Sequence, residues 1–301
     1  MKIVIFDVDD AACALVVSPN GYGMMIDCGC AAEDLDKNPI DIIEQQKEWL
    51  SIAPYKTRQG NVYPLALLHI THPDDDHVKN VNRVISDIPP YLLRRIYSEN
   101  FPDAEKINEE YKLLDNKYRG SNSETIDWGF EKDESFSIPI EDVKRDPQLN
   151  TKIRNNSSII RYLKYGGVSI LFSGDLETAG WKWLKDNNNE FVNTMKSGVN
   201  ILIAPHHGHK SGFPKSLFDL TGKVDVVIHS KGSEGNIEGT DVASQYTNYA
   251  RGVNYKTSNN EDNYNGKVLT TRSNGNIFIK IDINGNRSYW TEKASSNHIH
   301  Y

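Results

Sequence analysis

The hydrophobic pattern of this chain predicts an α/β fold, on three observations. Short apolar runs of strand length alternate with segments of helical spacing from one end of the chain to the other. Several of those runs end in histidine and aspartate, at the kind of edge where α/β proteins carry their chemistry. The 301 residues, 38% of them hydrophobic with 21 glycines besides, suffice for one large core, so a single domain over 1–301 is expected.

The elements follow in order. Residues 1–7 read as a first strand rather than a signal peptide. Residues 64–70 form a buried strand, and just beyond it His72, Asp74, Asp76 and His77 fall within six positions of a chain that has nine histidines. Imidazole and carboxylate are first-row metal ligands that require no thiolate, and a His-x-Asp-x-Asp-His run on a loop can hold two adjacent ions. Pro73 favours a loop, and residues 78–85 have helical spacing, so the ligands are expected at a strand-to-helix corner. The competing reading is a solvated acidic turn in which Asp74, Asp75 or Asp76 caps a helix.

Residues 101–149 are strongly charged, with a helical pattern over 106–114, a loop at Gly120, Ser121, Asn122 and Ser123, and an apolar return at Trp128 and Phe130. This segment reads as a cap over the metals, with Tyr111, Trp128 and Phe130 as candidates to stack on a base. Core packing is the more ordinary fate of Trp128. The apolar run 168–172 ends in Ser173, Gly174 and Asp175, and the run 199–203 ends in Pro205, His206, His207, Gly208 and His209. Three strand ends bearing ligand-type side chains then converge. A further strand ends at His229, a helix is expected near 243–250, and the strands 267–271 and 276–281, joined by Ser273, Asn274 and Gly275, read as a hairpin. A polar tail at about 292–301, with His298 and His300, reads as flexible.

Composition narrows the function. The net charge is −7 and no strong basic run is present, which disfavours tight binding of long duplex DNA and favours short substrates. No stretch approaches the roughly 20 apolar residues of a membrane span, so a soluble protein with no membrane partner is expected. Cys13, Cys28 and Cys30 are too few and too clustered for a disulfide framework, which fits a reducing cytoplasm. They are expected to be small buried residues rather than thiolate ligands.

The ordered set of Asp27 (in Met25-Ile26-Asp27-Cys28-Gly29), His72 to His77, Ser173-Gly174-Asp175 and Pro205-His206-His207-Gly208 resembles the metallo-β-lactamase fold. It is more closely similar to the ComEC-type branch, the hydrolase domain attached to bacterial DNA-uptake channels, whose motifs run like THPDxDH, NNxS, TGDLE and PHHGS. Asn155, Asn156, Ser157 and Ser158 lead into Ser173, Gly174, Asp175, Leu176 and Glu177 in the same order, and Ile5, Phe6, Asp7 and Val8 match the family's opening. The resemblance implies a four-layer αββα sandwich in a stand-alone form. The chain departs from the family at Asp9, Asp10, Ala11 and Ala12, where a glycine-rich loop is usual, and at Val78, Lys79 and Asn80, where Ile-Gly-Gly is usual. No histidine lies between His77 and His206, so the third histidine of ordinary metallo-β-lactamases is missing, with Asn155 and Asn156 near its position.

By that resemblance His72 and Asp74 would serve one ion, Asp76, His77 and His207 the other, and Asp175 would bridge two divalent ions, zinc or manganese. Asp76, Asp175 and His206 would carry catalysis, His206 either facing the substrate or supporting the ligands. Asp27 would orient a ligand imidazole through a hydrogen bond, and His209, Lys210 and Ser211 are candidates to contact phosphate oxygens. Two such ions about 3.5–4 Å apart lower the pKa of a bridging water and steady a displacement at phosphorus. The expected function is therefore a phosphodiesterase or nuclease acting on nucleic acid or small nucleotides. Its alternatives are a hydrolase of a non-phosphate ester, lactone or thioester, and a metal-stabilised, non-catalytic component of a bacterial multi-protein system whose protein partner is encoded alongside it.

Overall fold

The computed structural model describes residues 1–30, 37–120, 125–231, 243–258 and 260–293. Ser121, Asn122, Ser123 and the tail with His298 and His300 lie outside the described residues. Strands β1 (Lys2–Ile5), β2 (Cys13–Val17) and β3 (Gly23–Cys28) form an antiparallel meander. A small hairpin of β4 (Tyr55–Lys56) and β5 (Val62–Tyr63) precedes β6 (Leu65–His69) and β7 (Pro90–Arg94), which join β3 in parallel. The chain then builds a second sheet from β8 (Lys132–Phe136), β9 (Ile160–Tyr165), β10 (Val168–Phe172), β11 (Ile201–Ile203) and β12 (Val226–His229). It returns to the first sheet through β13 (Val253–Thr257) and β14 (Asn260–Gly266), and adds β15 (Val268–Thr270) to the second. β16 (Ile277–Ile281) and β17 (Arg287–Thr291) finish the first.

Among the described residues the two main sheets run β14-β13-β17-β16-β1-β2-β3-β6-β7 and β15-β12-β11-β10-β9-β8. Side-chain alternation sorts each strand's residues between two layers. Ile3 and Ile5 of β1, Val16 of β2 and Met24 of β3 point into one core with Leu163, Ile170, Phe172, Ile201 and Val226 of the other sheet. Val4, Leu15 and Met25, their neighbours along the chain, point outward against helical residues Ile40, Ile43, Val81, Val84 and Leu114. Tyr162, Leu171, Leu202 and Val227 do the same on the far side against Trp181, Leu184, Phe191 and Leu217. The result is the four-layer αββα sandwich. No helix among the described residues is long and apolar enough to cross a membrane.

Several expectations are corrected. Residues 267–281 do not form a hairpin: β15 pairs with β12 in the second sheet, and β16 pairs with β1 in the first. Between them Ser273, Asn274 and Gly275 belong to a helical turn, Thr271–Asn274, capped by the Thr270 side chain and ended by Gly275 at φ +67°. The helix expected over 78–85 is broken, with one turn at Asp75–Val78 and another helix at Val81–Asp87.

The segment 101–149 is not simply a cap, because its second half supplies edge strand β8, paired with β9, and the helix Ile140–Arg145. Tyr111 is fully buried, its hydroxyl donating to the Ile96 carbonyl at 2.6 Å, and is closed to any base. Trp128 and Phe130 stack on each other at 6.2 Å and pack into the core between the sheets. All three cysteines are free and buried, as expected of small core residues.

Candidate metal centre

The ends of β3, β6, β10, β11 and β12 meet along one edge of the two sheets, and each delivers a polar group. The run 70–74 after β6 is irregular and ends with Asp74 extended, but Asp75, Asp76 and His77 lie on the helical turn Asp75–Val78 rather than on a loop. Asp74 occupies the cap position of that turn, yet its carboxylate makes no capping hydrogen bond. One oxygen, Oδ1, accepts from Arg154 at 3.1 Å, and the other lies 3.6 Å from His72 Nε2. Arg154 reaches on to Asp103 at 2.7 Å. The acidic-turn reading fails here, since the side chain that should cap the helix faces a histidine instead.

Asp175 lies at the centre. Its Oδ1 is 3.1 Å from His77 Nε2 and 3.9 Å from His207 Nε2, and its Oδ2 is 3.9 Å from His72 Nε2 and 3.7 Å from His206 Nε2. Asp76 Oδ2 adds contacts to His207 Nε2 at 3.0 Å and His77 Nε2 at 3.8 Å. Donor atoms of Asp76, His77, Asp175 and His207 all lie within 4.8 Å of one another, close enough for a shared cation. The predicted ligands His72 and Asp74 stand beside this group on the Oδ2 side of Asp175.

The far nitrogen of each ring is held. His77 Nδ1 donates to Asp27 Oδ2 at 2.8 Å, and Thr71 anchors the same carboxylate through its backbone N–H at 2.7 Å and its hydroxyl at 2.9 Å. Because the Thr71 hydroxyl proton goes to Asp27, the His72 Nδ1 at 3.1 Å is the donor to Thr71 Oγ1. His207 Nδ1 donates to the Ser230 carbonyl at 2.8 Å. A neutral imidazole whose Nδ1 carries the proton presents a lone pair at Nε2. His77 and His207 therefore turn lone pairs toward carboxylates, which is unfavourable unless the rings are protonated or a cation stands between. The buried Nε2 atoms of His72 and His77 have no hydrogen-bond partner at all. This donor set, imidazole nitrogen and carboxylate oxygen without thiolate, fits zinc or manganese.

Electrostatics agree. Burial alone would lower the His77 imidazole, but Asp175, Asp27 and Asp76 together raise it well above its ordinary value, and His207 is raised likewise by Asp175 and Asp76. Burial raises the carboxyls of Asp76 and Asp175, yet His77 and His207 hold both below the usual range. Asp74 is held down against its burial by His72 and Arg154. Without a cation this cluster gathers protons, and a divalent ion would displace them.

Two backbone features build the edge. His206 and His207 are consecutive non-glycine residues at φ +50° and +51°, in the left-handed region, and Gly208 follows at +82°. Each such histidine costs about 1–3 kcal/mol unless the surroundings fix it. Here the His206 amide is fixed to the Gly174 carbonyl at 3.1 Å, and any Cβ on Gly208 would meet the His229 ring at 2.2 Å. Asp27 is also at positive φ, +55°.

Other predicted residues fall elsewhere. Asn155 donates through its amide nitrogen to Glu177 at 3.3 Å, and Asn156 likewise to the Leu149 carbonyl at 2.9 Å. Ser211 is turned inward, 3.0 Å from His206 Nδ1 and 3.1 Å from Glu177, rather than toward a substrate. His209 Nδ1 accepts from the Ser211 amide at 3.1 Å, and Lys210 is exposed. Sequence reasoning passed over Thr71, Arg154, Glu177 and Ser230. Thr71 precedes His72 directly and Glu177 follows Asp175 by two, so proximity to a ligand was the available signal. Ser230 contributes only a carbonyl, which no residue type announces.

No protein-family model matches the chain, and no curated protein matches it in sequence. Among solved structures it is similar to a provisionally assigned metallo-beta-lactamase from Thermotoga maritima, at 14% identity and TM-score 0.33, over 62% of this chain and 79% of that one. It is also similar to a new diphosphatase from the PhnP family, at 10% identity and TM-score 0.40, over 95% of this chain and 100% of that one. Likeness at this level leaves the chemistry of the site to be read from its own donors.

Proposed function

We propose that this chain is a dinuclear metal-dependent hydrolase, and that its substrate is a phosphodiester of a nucleic acid end, a single strand or a small nucleotide. The observation that carries the reading is the Asp175 carboxylate, each oxygen of which faces its own pair of imidazole Nε2 atoms at 3.1–3.9 Å. Two divalent ions, zinc or manganese, would supply a nucleophile at neutral pH and steady the oxygens of an in-line displacement.

The chain's own residues do the rest. Asp27 and Ser230 hold the Nδ1 protons of His77 and His207, which fixes the tautomers and aims both rings. Asp74, standing where an imidazole would be neutral, adds negative charge and so weakens polarisation of an uncharged carbonyl. A substrate that brings anionic oxygens tolerates that charge better. Exposed Lys210, three residues beyond His207, offers positive charge for such oxygens. The net charge of −7 further favours small substrates over long duplexes.

The test is hydrolysis of bis-p-nitrophenyl phosphate by protein loaded separately with zinc and manganese, with metal content counted. Metal-dependent cleavage that disappears in an Asp76→Ala, His77→Ala double variant is expected. Two bound ions without cleavage would overturn the phosphodiesterase reading in favour of acyl substrates.

A further inference from the structure

We infer that His206 is a metal ligand, taking up at the second cation position the role of the histidine this chain lacks between His77 and His206. The inference rests on the dinuclear reading above and specifies which side chains complete its second half. On the Oδ1 side of Asp175 stand two imidazoles, His77 and His207, and one further carboxylate, Asp76. On the Oδ2 side stand two imidazoles, His72 at 3.9 Å and His206 at 3.7 Å, and one further carboxylate, Asp74, 3.6 Å from His72. The two halves offer the same donors. Without His206 the second half would hold one nitrogen only.

The far side of the ring repeats the pattern of the other three. His72 Nδ1 is held by Thr71, His77 Nδ1 by Asp27 and His207 Nδ1 by the Ser230 carbonyl. His206 Nδ1 is held by Ser211 Oγ at 3.0 Å and by Glu177 Oε1 at 3.4 Å. Glu177 is itself fixed by Ser211 at 3.1 Å and Asn155 at 3.3 Å. A carboxylate on the rear nitrogen is what orients a ligating imidazole and raises its basicity.

The backbone makes the same point. Two adjacent side chains on a strand or helix diverge, and one ordinary turn would deliver only one of them to Asp175. Left-handed geometry at both residues sends the two rings, with centroids 6.4 Å apart, to opposite oxygens of one carboxylate. The strain is retained at both positions, so both rings are being aimed.

The second half is the wider one, since among the described residues only the Asp76, His77, Asp175, His207 set closes within 4.8 Å. Titration of metal-free full-length protein with Mn²⁺, free ion being counted by electron paramagnetic resonance, should therefore show a tight step and a weaker one. His206→Asn is the variant of choice because asparagine tolerates left-handed backbone. It should abolish the weak step or weaken it at least 10-fold while the tight step stays within about 3-fold. Glu177→Gln, which touches no ion, should weaken the same step by about 10-fold, a change that a substrate-facing His206 would not produce. Two steps in the wild type with an unaltered weak step in His206→Asn would overturn the inference and leave the dinuclear reading standing. A wild type that takes up fewer than two ions would overturn the dinuclear reading and this inference together.

Discussion

A Cβ placed on Gly29 would sit 1.7 Å from the carbonyl oxygen of Asp76 and 3.0 Å from that of Ala12. The turn after β3 and the helical turn bearing two of the candidate ligands thus touch backbone to backbone, laced by Ala12 N–H to Asp76 O and Gly29 N–H to Ala12 O, both at 2.9 Å. Asn80 N–H donates to the Cys28 carbonyl at 2.9 Å and closes the same seam. Only a residue without a side chain fits at 29.

Gly29→Ala should therefore push Asp76 away from its partners. The expected cost is about 1–3 kcal/mol of stability, as for other forced overpacking, together with weaker metal binding. Urea unfolding and Mn²⁺ titration check the two effects. Wild-type values in both would show that the seam yields without consequence.

Asp27→Asn should leave the fold intact, since asparagine accepts the +55° φ found there. The substitution removes the carboxylate that receives the Thr71 amide, the Thr71 hydroxyl and the His77 Nδ1 proton. Metal affinity should fall 10- to 100-fold through the loosened His77 ring. Titration with Mn²⁺ measures it, and an unchanged affinity would remove Asp27 from the support of the site.

His69 sets a pH dependence of its own. The ring is fully buried, donates from Nε2 to the Ile159 carbonyl at 2.9 Å, and burial lowers its pKa to about 3. The unfolded chain takes up this proton below about pH 6.5 and the folded one does not, so stability is full above pH 6.5 and declines as pH falls toward 3. At pH 5 the loss is about 2 kcal/mol. In metal-free buffer, where the site histidines contribute equally to both proteins, the wild type should lose about that much more than His69→Gln between pH 7.5 and pH 5. Parallel losses in urea unfolding would contradict the assignment.

The candidate site was legible where ligand-type residues crowd into a short run after an apolar strand, as with His72, Asp74, Asp76 and His77, or sit at another strand's end, as with Asp175 and His207. The supporting groups were not, because orientation acts through space. Thr71 and Glu177 look like any hydroxyl and carboxylate until their partners are seen, and Ser230 acts through its carbonyl. Likewise the strands 267–271 and 276–281 carry the right period, and Ser273, Asn274 and Gly275 the right turn residues, for a hairpin. Period reports which face of a strand is buried, and says nothing about which of two sheets it joins. Ser211 was read as a phosphate contact because it lies just beyond the ligand loop, yet it points to His206.

The position of β1 has a consequence for how the chain folds as it is made. β1 hydrogen-bonds on one side to β2, its neighbour along the chain, and on the other to β16, where Lys2 lies opposite Lys280 and Ile5 opposite Ile277. All of the candidate ligands, through His207, are synthesised before that second partner exists. Until residue 281 has emerged, the sheet carrying Asp27 and His72 has an open apolar edge at β1, and loop closure across nearly the whole chain must precede its burial. A nascent chain stalled between His207 and Ile281 would thus hold every candidate metal donor on an unfinished sheet.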